Sequence, residues 1–215
     1  ARQYCTDWNG ALPRRIWFYT DGASSYDLSA ETRKASASAV LIIETDWGCQ
    51  FGGFRACHVP MPATAPFAEH AALHVATLWC IQLLEWCAWT YGVCNIPVVF
   101  AFDCLAAGGA AQGTWLCQRH ATLHRRTRAF QQWIQSRFCC SAEFVHVPGH
   151  RGDPWNEAAD AVCWATLHGW ISGFDFDGFC ATQLTPFDDV VEWLWFWQRA
   201  RDGVVGYPRI QEGAF

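Results

Sequence analysis

The stretch HVPGHRGDPWNEAAD, residues 146–160, joins a predicted strand to a predicted helix. Pro148 and two glycines interrupt regular structure around His150, so the first half of the stretch is a loop. Asp153 is a typical N-cap and is followed by a proline, which suits a first helical turn, so a helix is expected through Asp160 to about residue 168. The stretch therefore predicts a strand–loop–helix unit of an α/β fold, with acidic side chains in the first turns of its helix.

Three segments near the amino end have strand patterns. Residues 15–21, RIWFYTD, are rich in aromatic side chains and end before a glycine. Segments 35–45 and 48–59 follow, separated by a tight turn. They predict an antiparallel meander whose first strand carries Asp21 at its end.

The next segment has a helical period. From residue 64 to about residue 87, apolar side chains recur at steps of three and four, which is typical of a helix facing the core. Thr64 is the expected cap, Pro66 fits the first turn, and Glu69 then lies in the first turn as well.

A second strand and helix pattern follows. Residues 96–103, IPVVFAFD, form a continuous apolar run that predicts a central strand covered on both faces and ending on Asp103. A short Ala/Gly segment, 105–113, precedes an expected helix over 119–135 and an expected strand over 142–147. The order is three strands, helix, strand, helical region, strand, helix.

Composition limits the class of protein. The chain has 215 residues, 52% of them hydrophobic, which is enough for one well-packed domain with an appendage. There is no run of eighteen apolar residues and no basic segment followed by an apolar one at the start, so neither a membrane span nor a signal peptide is predicted. The beginning without Met and the loop-like end fit a piece excised from a longer polypeptide.

The twelve cysteines do not form CxxC pairs. In a chain of this size and apolar content, their spacing suits buried thiols better than disulfides or zinc ligands. We therefore expect reduced cysteines and an intracellular, reducing compartment, either cytoplasm or nucleus.

Charge is unevenly distributed, although the net charge is -5. Residues 104–142 contain no Asp or Glu, and the part of the chain after residue 170 is predominantly acidic. The middle segment carries five arginines: Arg119, Arg125, Arg126, Arg128 and Arg137.

Four carboxylates occupy comparable positions. Asp21 and Asp103 are expected at the carboxyl ends of strands, and Glu69 and Asp160 in the early turns of helices. In an open sheet such positions can converge on one edge crevice. Two carboxylates about 4 Å apart repel by roughly 4 kcal/mol at an effective dielectric of about 20, so a cluster of four takes up protons or binds cations. Hard oxygen ligands suit Mg²⁺ or Mn²⁺, and a pair of such ions can promote phosphodiester hydrolysis.

The segments YTDGAS, TAPFAEHAAL, VVFAFD and HVPGHRGDPWNEAAD resemble, in this order, the four motif blocks of the type 1 ribonuclease H family. They span about residues 15–167. The resemblance implies a ribonuclease H-like α/β fold: a mixed five-stranded sheet, three antiparallel strands followed by two parallel ones, with helices on both faces. It also implies an endonuclease that cleaves the RNA strand of RNA/DNA hybrids without base specificity.

The resemblance assigns a role to each motif residue. Asp21 would bridge two Mg²⁺ ions, for which Mn²⁺ is the alternative. Asp160 would help hold the ion that activates water, and Glu69 and Asp103 would hold the other. His150 would be the mobile-loop histidine that is associated with proton handling and product release.

Substrate contacts are expected in three places. Small residues after the first strand let backbone approach a nucleic-acid strand closely. Asn156, at the helix start, matches a position with a backbone contact. The acid-free segment stands where family members have a Lys-rich handle, with arginines that suit phosphate contact. The expected substrate-binding residues are Gly22, Ala23, Ser24, Asn156, Arg119, Arg125 and Arg126.

Alternatives remain open for the function. A non-catalytic ribonuclease H-like scaffold that binds nucleic acid or protein is one, because fold does not fix function. A nuclease of the same superfamily that acts on DNA is another. The family also includes domains fused to reverse transcriptases in retroelements, so a fused or associated reverse transcriptase is an expected partner, and no membrane is expected.

Three regions complete the predicted organisation: a lead-in over 1–14, the catalytic domain over 15–170, and an aromatic, acidic extension over 171–215. The extension's aromatic residues suit burial or an interface better than base stacking.

Two histidine pairs have i, i+4 spacing. His70 and His74 could bind zinc, but packed or surface positions are expected for them, and His120 and His124 are expected on a solvated, phosphate-facing helix.

Overall fold

In a computed structural model of the chain, residues 10–27, 32–59, 63–93, 95–115, 119–170 and 174–175 are described. Their elements, in chain order, are β1 (Arg15–Asp27), β2 (Thr32–Thr45), β3 (Gly48–His58), α1 (Ala65–Tyr91), β4 (Val98–Phe102), α2 (Leu105–Gln112), α3 (Ala121–Phe138), β5 (Ala142–His146), α4 (Pro154–Leu167) and β6 (Phe174–Asp175).

The strands form one sheet in the order β5-β4-β1-β2-β3-β6. The first three strands pair antiparallel, and β4 pairs parallel with both β1 and β5. The predicted mixed five-stranded sheet is therefore confirmed. A sixth strand, β6, was not predicted; its two residues pair parallel with Cys57 and His58 at the edge of the sheet.

Helices cover both faces of the sheet, as predicted, because alternate side chains of β1 point to opposite sides. Ile16 and Phe18 belong to the main core with α1, α2 and α3. Tyr19, with Trp17 packed beside it, belongs to a second core, to which α4 contributes Ala159. Every residue of β4 is buried, as its continuous apolar sequence predicts.

Helix α1 is the central helix of the larger core. The hydroxyl of Thr64 accepts the N–H of Phe67 at 3.4 Å, and Gly92 ends the helix in the left-handed conformation. By length and composition α1 could cross a membrane, but 78% of its most apolar window is buried inside the fold. It is therefore placed as the core helix of this domain.

Helix α4 is held on the sheet by polar contacts. Its N-cap, Asp153, accepts the backbone N–H groups of the second and third helical residues at 3.0 and 3.1 Å. The hydroxyls of Ser38 and Ser36 donate to the carbonyls of Ala159 and Cys163, each at 2.7 Å. These bonds fix the helix along β2.

The end of β1 and the end of α3 differ from the predictions. The first strand continues to Asp27 instead of ending at Asp21, because β2 begins at Thr32 and keeps pairing through Gly22. Helix α3 extends to Phe138, three residues beyond its expected end. The glycine after Asp21 therefore does not break the strand.

The described cysteines agree with the expectation of reduced thiols. All eight of them are free, and five are buried. Cys5, Cys94, Cys117 and Cys180 lie outside the described residues, as does most of the predicted extension.

Candidate active site

The site lies where β4 ends but β1 continues. The parallel pairing of these strands stops at the Thr20–Phe102 pair, whereas β1 continues to pair with β2. Asp21 is the first residue of β1 beyond this pairing, and Asp103 is the first residue after β4. The two acids are therefore neighbours at one sheet edge, although Asp21 lies inside a strand.

Gly22 brings the start of α1 to the same edge. Glu69 is the fifth residue of the helix, one position beyond the first turn in which it was predicted. A Cβ at position 22 would collide with the backbone N of Glu69 and the carbonyl carbon of Ala68, and would lie 2.7 Å from the Cα of Glu69. Only a residue without a side chain permits this approach. The absence of a side chain at position 22 thus places Glu69 beside Asp21.

Three of the four predicted carboxylates form one compact group. Asp21, Glu69 and Asp103 each offer a carboxylate oxygen, and these oxygens all lie within 4.8 Å of one another. Asp21 is buried, and the other two are partly buried. The convergence expected from the sequence is present in the fold.

Asp160 belongs to a second group at the same site. A nitrogen of His150 and carboxylate oxygens of Glu157 and Asp160 lie within 4.8 Å of one another. The Nδ1 atom of His150 is 3.9 Å from each of the two carboxylates, and its side chain is 77% exposed. The charge of Asp160 raises the pKa of Asp21 and of Glu69, which shows that the two groups share one electrostatic environment.

The loop between β5 and α4 closes over Asp103. The amide of Asn156 donates to the Oδ2 atom of Asp103 at 3.4 Å. A Cβ at Gly149 would lie 2.7 Å from the same oxygen. His150 itself has a φ of 52°, in the left-handed region. The loop therefore passes directly against the carboxylate, with His150 turned outward.

Burial and mutual repulsion make this cluster costly when it is ionised. Desolvation, and then the charges of Asp103 and Asp160, raise the pKa of Asp21 from 3.8 to about 7. Desolvation and the charges of Asp21 and Asp103 also raise the pKa of Glu69 well above its usual range. The backbone N–H of Gly22 opposes both shifts.

These shifts predict a pH-dependent stability in the absence of divalent cations. A carboxyl whose pKa is higher in the folded state binds more protons there, so stability is lost as the pH rises from about 4 through about 7. For Asp21 alone the loss is on the order of 4 kcal/mol, since one pKa unit corresponds to about 1.4 kcal/mol.

The measurement is the free energy of unfolding between pH 4 and 8 in a chelator, with and without added Mg²⁺. We expect stability to fall with pH in the chelator and to recover with Mg²⁺ at pH 8. The Asp21→Asn variant should show a flatter profile. A wild-type profile that rises over this range would contradict the assignment.

The donor set fits divalent cations with hard-oxygen preferences. The two groups supply four carboxylates from the motif residues, with Glu157 and one imidazole beside them. Mg²⁺ and Mn²⁺ prefer carboxylate and water ligands, and a cation would remove the repulsion that raises these pKa values. Asp21, Glu69, Asp103 and Asp160 are the residues that could hold such ions.

The small residues after Asp21 differ in accessibility. Ala23 is buried, and its N–H donates to the sulfur of Cys163 at 3.1 Å, so it faces α4 and not the surface. The same thiol lies 3.6 Å from the carbonyl oxygen of Asp21. Gly22 and Ser24 are partly exposed. Of the three expected backbone contacts, the Ala23 N–H is therefore already engaged.

The other expected contact residues occupy different positions. Asn156 is 2% exposed and contacts Asp103, so it orients a carboxylate rather than presenting a free surface. Arg119 and Arg125 are exposed at the start of α3, whereas Arg126 is half-buried and its charge lowers the pKa of His74. The start of α3 lies against the start of α1, because the ring of His120 is 4.4 Å from that of Phe67.

The histidines pack between α1 and α3. His70, His74 and His124 are buried, so the expectation of a solvated position is wrong for His124, whose ring contacts His70 at 3.9 Å between centroids. His74 pairs with the hydroxyl of Thr127 at 2.8 Å. Burial lowers the pKa of His70 and of His74 to about 3. Within the described ranges, the groups of three potential metal ligands are the two at the carboxylate site.

Two contributors were missed by sequence reasoning. The motif resemblance assigns no chemical role to Glu157, although its position three residues before Asp160 puts both on one helix face. Burial raises the pKa of Asp160, and the side chain of Trp164, four residues later on the same helix, opposes that shift. The spacing of four residues between Asp160 and Trp164 is the sequence signal that could have identified Trp164.

No protein-family model matches the sequence, and no curated protein does either. Solved structures do resemble the fold. LC9-RNase H1, a type 1 RNase H with the type 2 active-site motif, aligns with a TM-score of 0.52 and 15% identity, over 74% of each chain. LC11-RNase H1 in complex with an RNA/DNA hybrid aligns with a TM-score of 0.51 and 18% identity, over 73% of this chain and 99% of that one. The chain therefore has the fold of the type 1 ribonucleases H.

Proposed function

We propose that the protein is a ribonuclease H: an endonuclease that hydrolyses the RNA strand of RNA/DNA hybrids without base specificity, using two Mg²⁺ or Mn²⁺ ions. The observation that carries the proposal is the group of Asp21, Glu69 and Asp103, whose oxygens lie within 4.8 Å, with Asp160 close enough to raise the pKa of two of them. The neighbour of similar fold that is bound to an RNA/DNA hybrid supports the choice of substrate.

Two divalent ions bound at these carboxylates would supply an activated water and stabilise negative charge on the leaving oxygen. The charges of Asp103 and Asp160 both raise the pKa of Asp21, so Asp21 would help hold both ions. Glu69 and Asp103 would complete one position and Asp160 the other. Because these side chains come from four elements packed on one sheet, the protein holds them in place before a cation binds.

His150 is the residue that can move a proton. Its ring lies 3.9 Å from Asp160 and is exposed, so it can exchange protons with solvent while facing the carboxylate. The residue lies in a loop and not in a helix or strand, which allows its ring to approach and leave the reacting phosphate. His150 would protonate the departing oxygen or assist product release.

Substrate binding would depend on surface shape and phosphate contacts. Hybrid duplexes are recognised through minor-groove hydroxyls and backbone phosphates. Gly22 lets a strand approach the backbone beside Asp21, and Arg119 and Arg125 present charge at the start of α3. These positions would contact the strands of one duplex.

We also propose an intracellular, reducing compartment, which the eight free cysteines support. The aromatic, acidic segment 171–215 supports a fused or associated reverse transcriptase as partner.

The test is a comparison of substrates of one sequence: RNA/DNA hybrid, duplex RNA and duplex DNA, with Mg²⁺, with Mn²⁺ and with chelator. We expect cleavage of the RNA strand of the hybrid only, and only with a divalent cation. Cleavage of duplex DNA would favour a different nuclease of this fold. Binding of the hybrid without cleavage under any condition would favour a non-catalytic scaffold and contradict the proposal.

A further inference from the structure

Three aromatic rings form a stack at the carboxyl end of α4. Trp164 and His168 stack with centroids 5.2 Å apart and an interplanar angle of 12°. His168 and Trp170 stack at 5.4 Å and 27°. We call these three residues the aromatic ladder.

The ladder begins at the carboxylate site. Asp160, Trp164 and His168 are spaced by four residues, so they lie along one face of α4. At 1.5 Å of rise per residue, the ladder extends about 12 Å from Asp160 along the helix. That distance corresponds to roughly three to four nucleotides at 3.4 Å of axis rise each.

The outer ring of the ladder is accessible. Trp170 is 79% exposed and Trp164 is 43% exposed. Neither indole belongs to the hydrophobic cores formed by the described residues. An exposed indole with its plane nearly parallel to the ring beneath it offers a flat apolar surface.

A lysine lies beside the ladder. Ser38 bonds to Ala159, and Ser36 bonds to Cys163. A step of two residues toward the start of β2 therefore matches a step of four residues toward the end of α4. The same relation places Lys34 alongside Leu167, next to the ladder, and Lys34 is exposed. The surface thus combines flat rings with a cation, as nucleic-acid strands require.

We propose that the aromatic ladder receives an unpaired nucleobase of the nucleic-acid strand whose phosphate lies at the carboxylate group, stacking it on Trp170. The inference rests on the proposed function, because it assigns the substrate strand to that site. It adds a preference for hybrids that continue into a single strand within about four nucleotides of the cut. Stacking is tolerant of base identity, so this preference is for structure and not for sequence.

The test is binding of the full chain to dye-labelled hybrids, measured by fluorescence anisotropy in chelator at low salt. One hybrid is blunt, and two carry a four-nucleotide extension on the 3′ or the 5′ end of the RNA strand. We expect the wild type to bind one extended hybrid roughly ten-fold more tightly than the blunt one. Trp170→Ala should lose this difference.

Trp89→Ala is the matched control, because Trp89 is 85% exposed and lies near the far end of α1 from Glu69. It should retain the preference. Equal binding of all three hybrids by the wild type would overturn the proposal, as would a Trp170→Ala variant that behaves like Trp89→Ala. A Trp170→Ala variant that melts several degrees lower and binds all three hybrids equally weakly would also overturn it, because the ring would then pack against another part of the chain. Binding is read without cleavage, so a protein that prefers an extended hybrid but never cuts it contradicts only the proposed function.

Discussion

Replacing Asp21 by Asn should reduce the rate of hybrid cleavage at saturating Mg²⁺ by at least roughly a thousand-fold, or about 4 kcal/mol in the activation barrier. Asp21 is the most buried member of the carboxylate group, and the charges of both Asp103 and Asp160 raise its pKa. An amide keeps the shape of the side chain but provides only one oxygen and no charge for cations. Initial rates on one hybrid, at several Mg²⁺ concentrations, give the effect.

The same substitution should stabilise the protein when cations are absent. The neutral amide removes a repelled, buried charge, so the melting temperature of Asp21→Asn in chelator at pH 8 should exceed that of the wild type. Glu143→Gln is the control, since Glu143 is exposed on β5 and should change neither activity nor stability. An Asp21→Asn variant that is less stable than the wild type and still active would show that Asp21 is a structural residue.

Gly22→Ala should cause the second large effect, by moving backbone and not by changing charge. The new methyl group would collide with the first turn of α1, and backbone atoms cannot yield as a side chain can. Overpacking of this kind costs about 1–3 kcal/mol, and the displaced turn carries Glu69 away from Asp21. We expect both a lower free energy of unfolding in urea and a loss of cleavage of roughly a hundred-fold or more.

The Gly92→Ala variant is the control that separates the loss of stability from the loss of cleavage. Gly92 ends α1 in the left-handed conformation with no atom within 4 Å of an added Cβ, at the opposite end of the helix from Glu69. Its substitution should cost about 1–2 kcal/mol of stability and leave cleavage unchanged. If Gly22→Ala lost stability but kept full activity, the close approach of α1 would have no part in shaping the site.

The sequence predicted most of the fold because its periodicities are local. The apolar run before Asp103 and the helical period after Thr64 are each set by burial of one short segment, and both are confirmed. Asp153 and the proline after it predicted the start of α4, and the structure places that helix there. The carboxylate convergence followed from these elements, since strand ends and helix starts meet at a sheet edge.

What could not be predicted depends on pairing between distant segments. Glycine commonly forms turns, but Gly22 pairs with Ala37 of β2 and therefore remains within β1. The contact between Asn156 and Asp103 and the burial of His124 between helices depend on how α4 and α3 dock. No local pattern in the sequence specifies that docking.

The hydrogen bonds that join α4 to β1 and β2 have a consequence for synthesis of the protein. The thiol of Cys163 contacts the carbonyl of Asp21 across 142 positions of the chain. Asp160 is carried by the same helix, so a nascent polypeptide that has not yet emerged as far as α4 can pair its early strands but lacks one of the four carboxylates of the candidate site. Contacts of such large sequence separation form late in folding. A partly translated chain would therefore lack one proposed metal ligand, and the proposed hydrolysis would become available only once translation has passed α4.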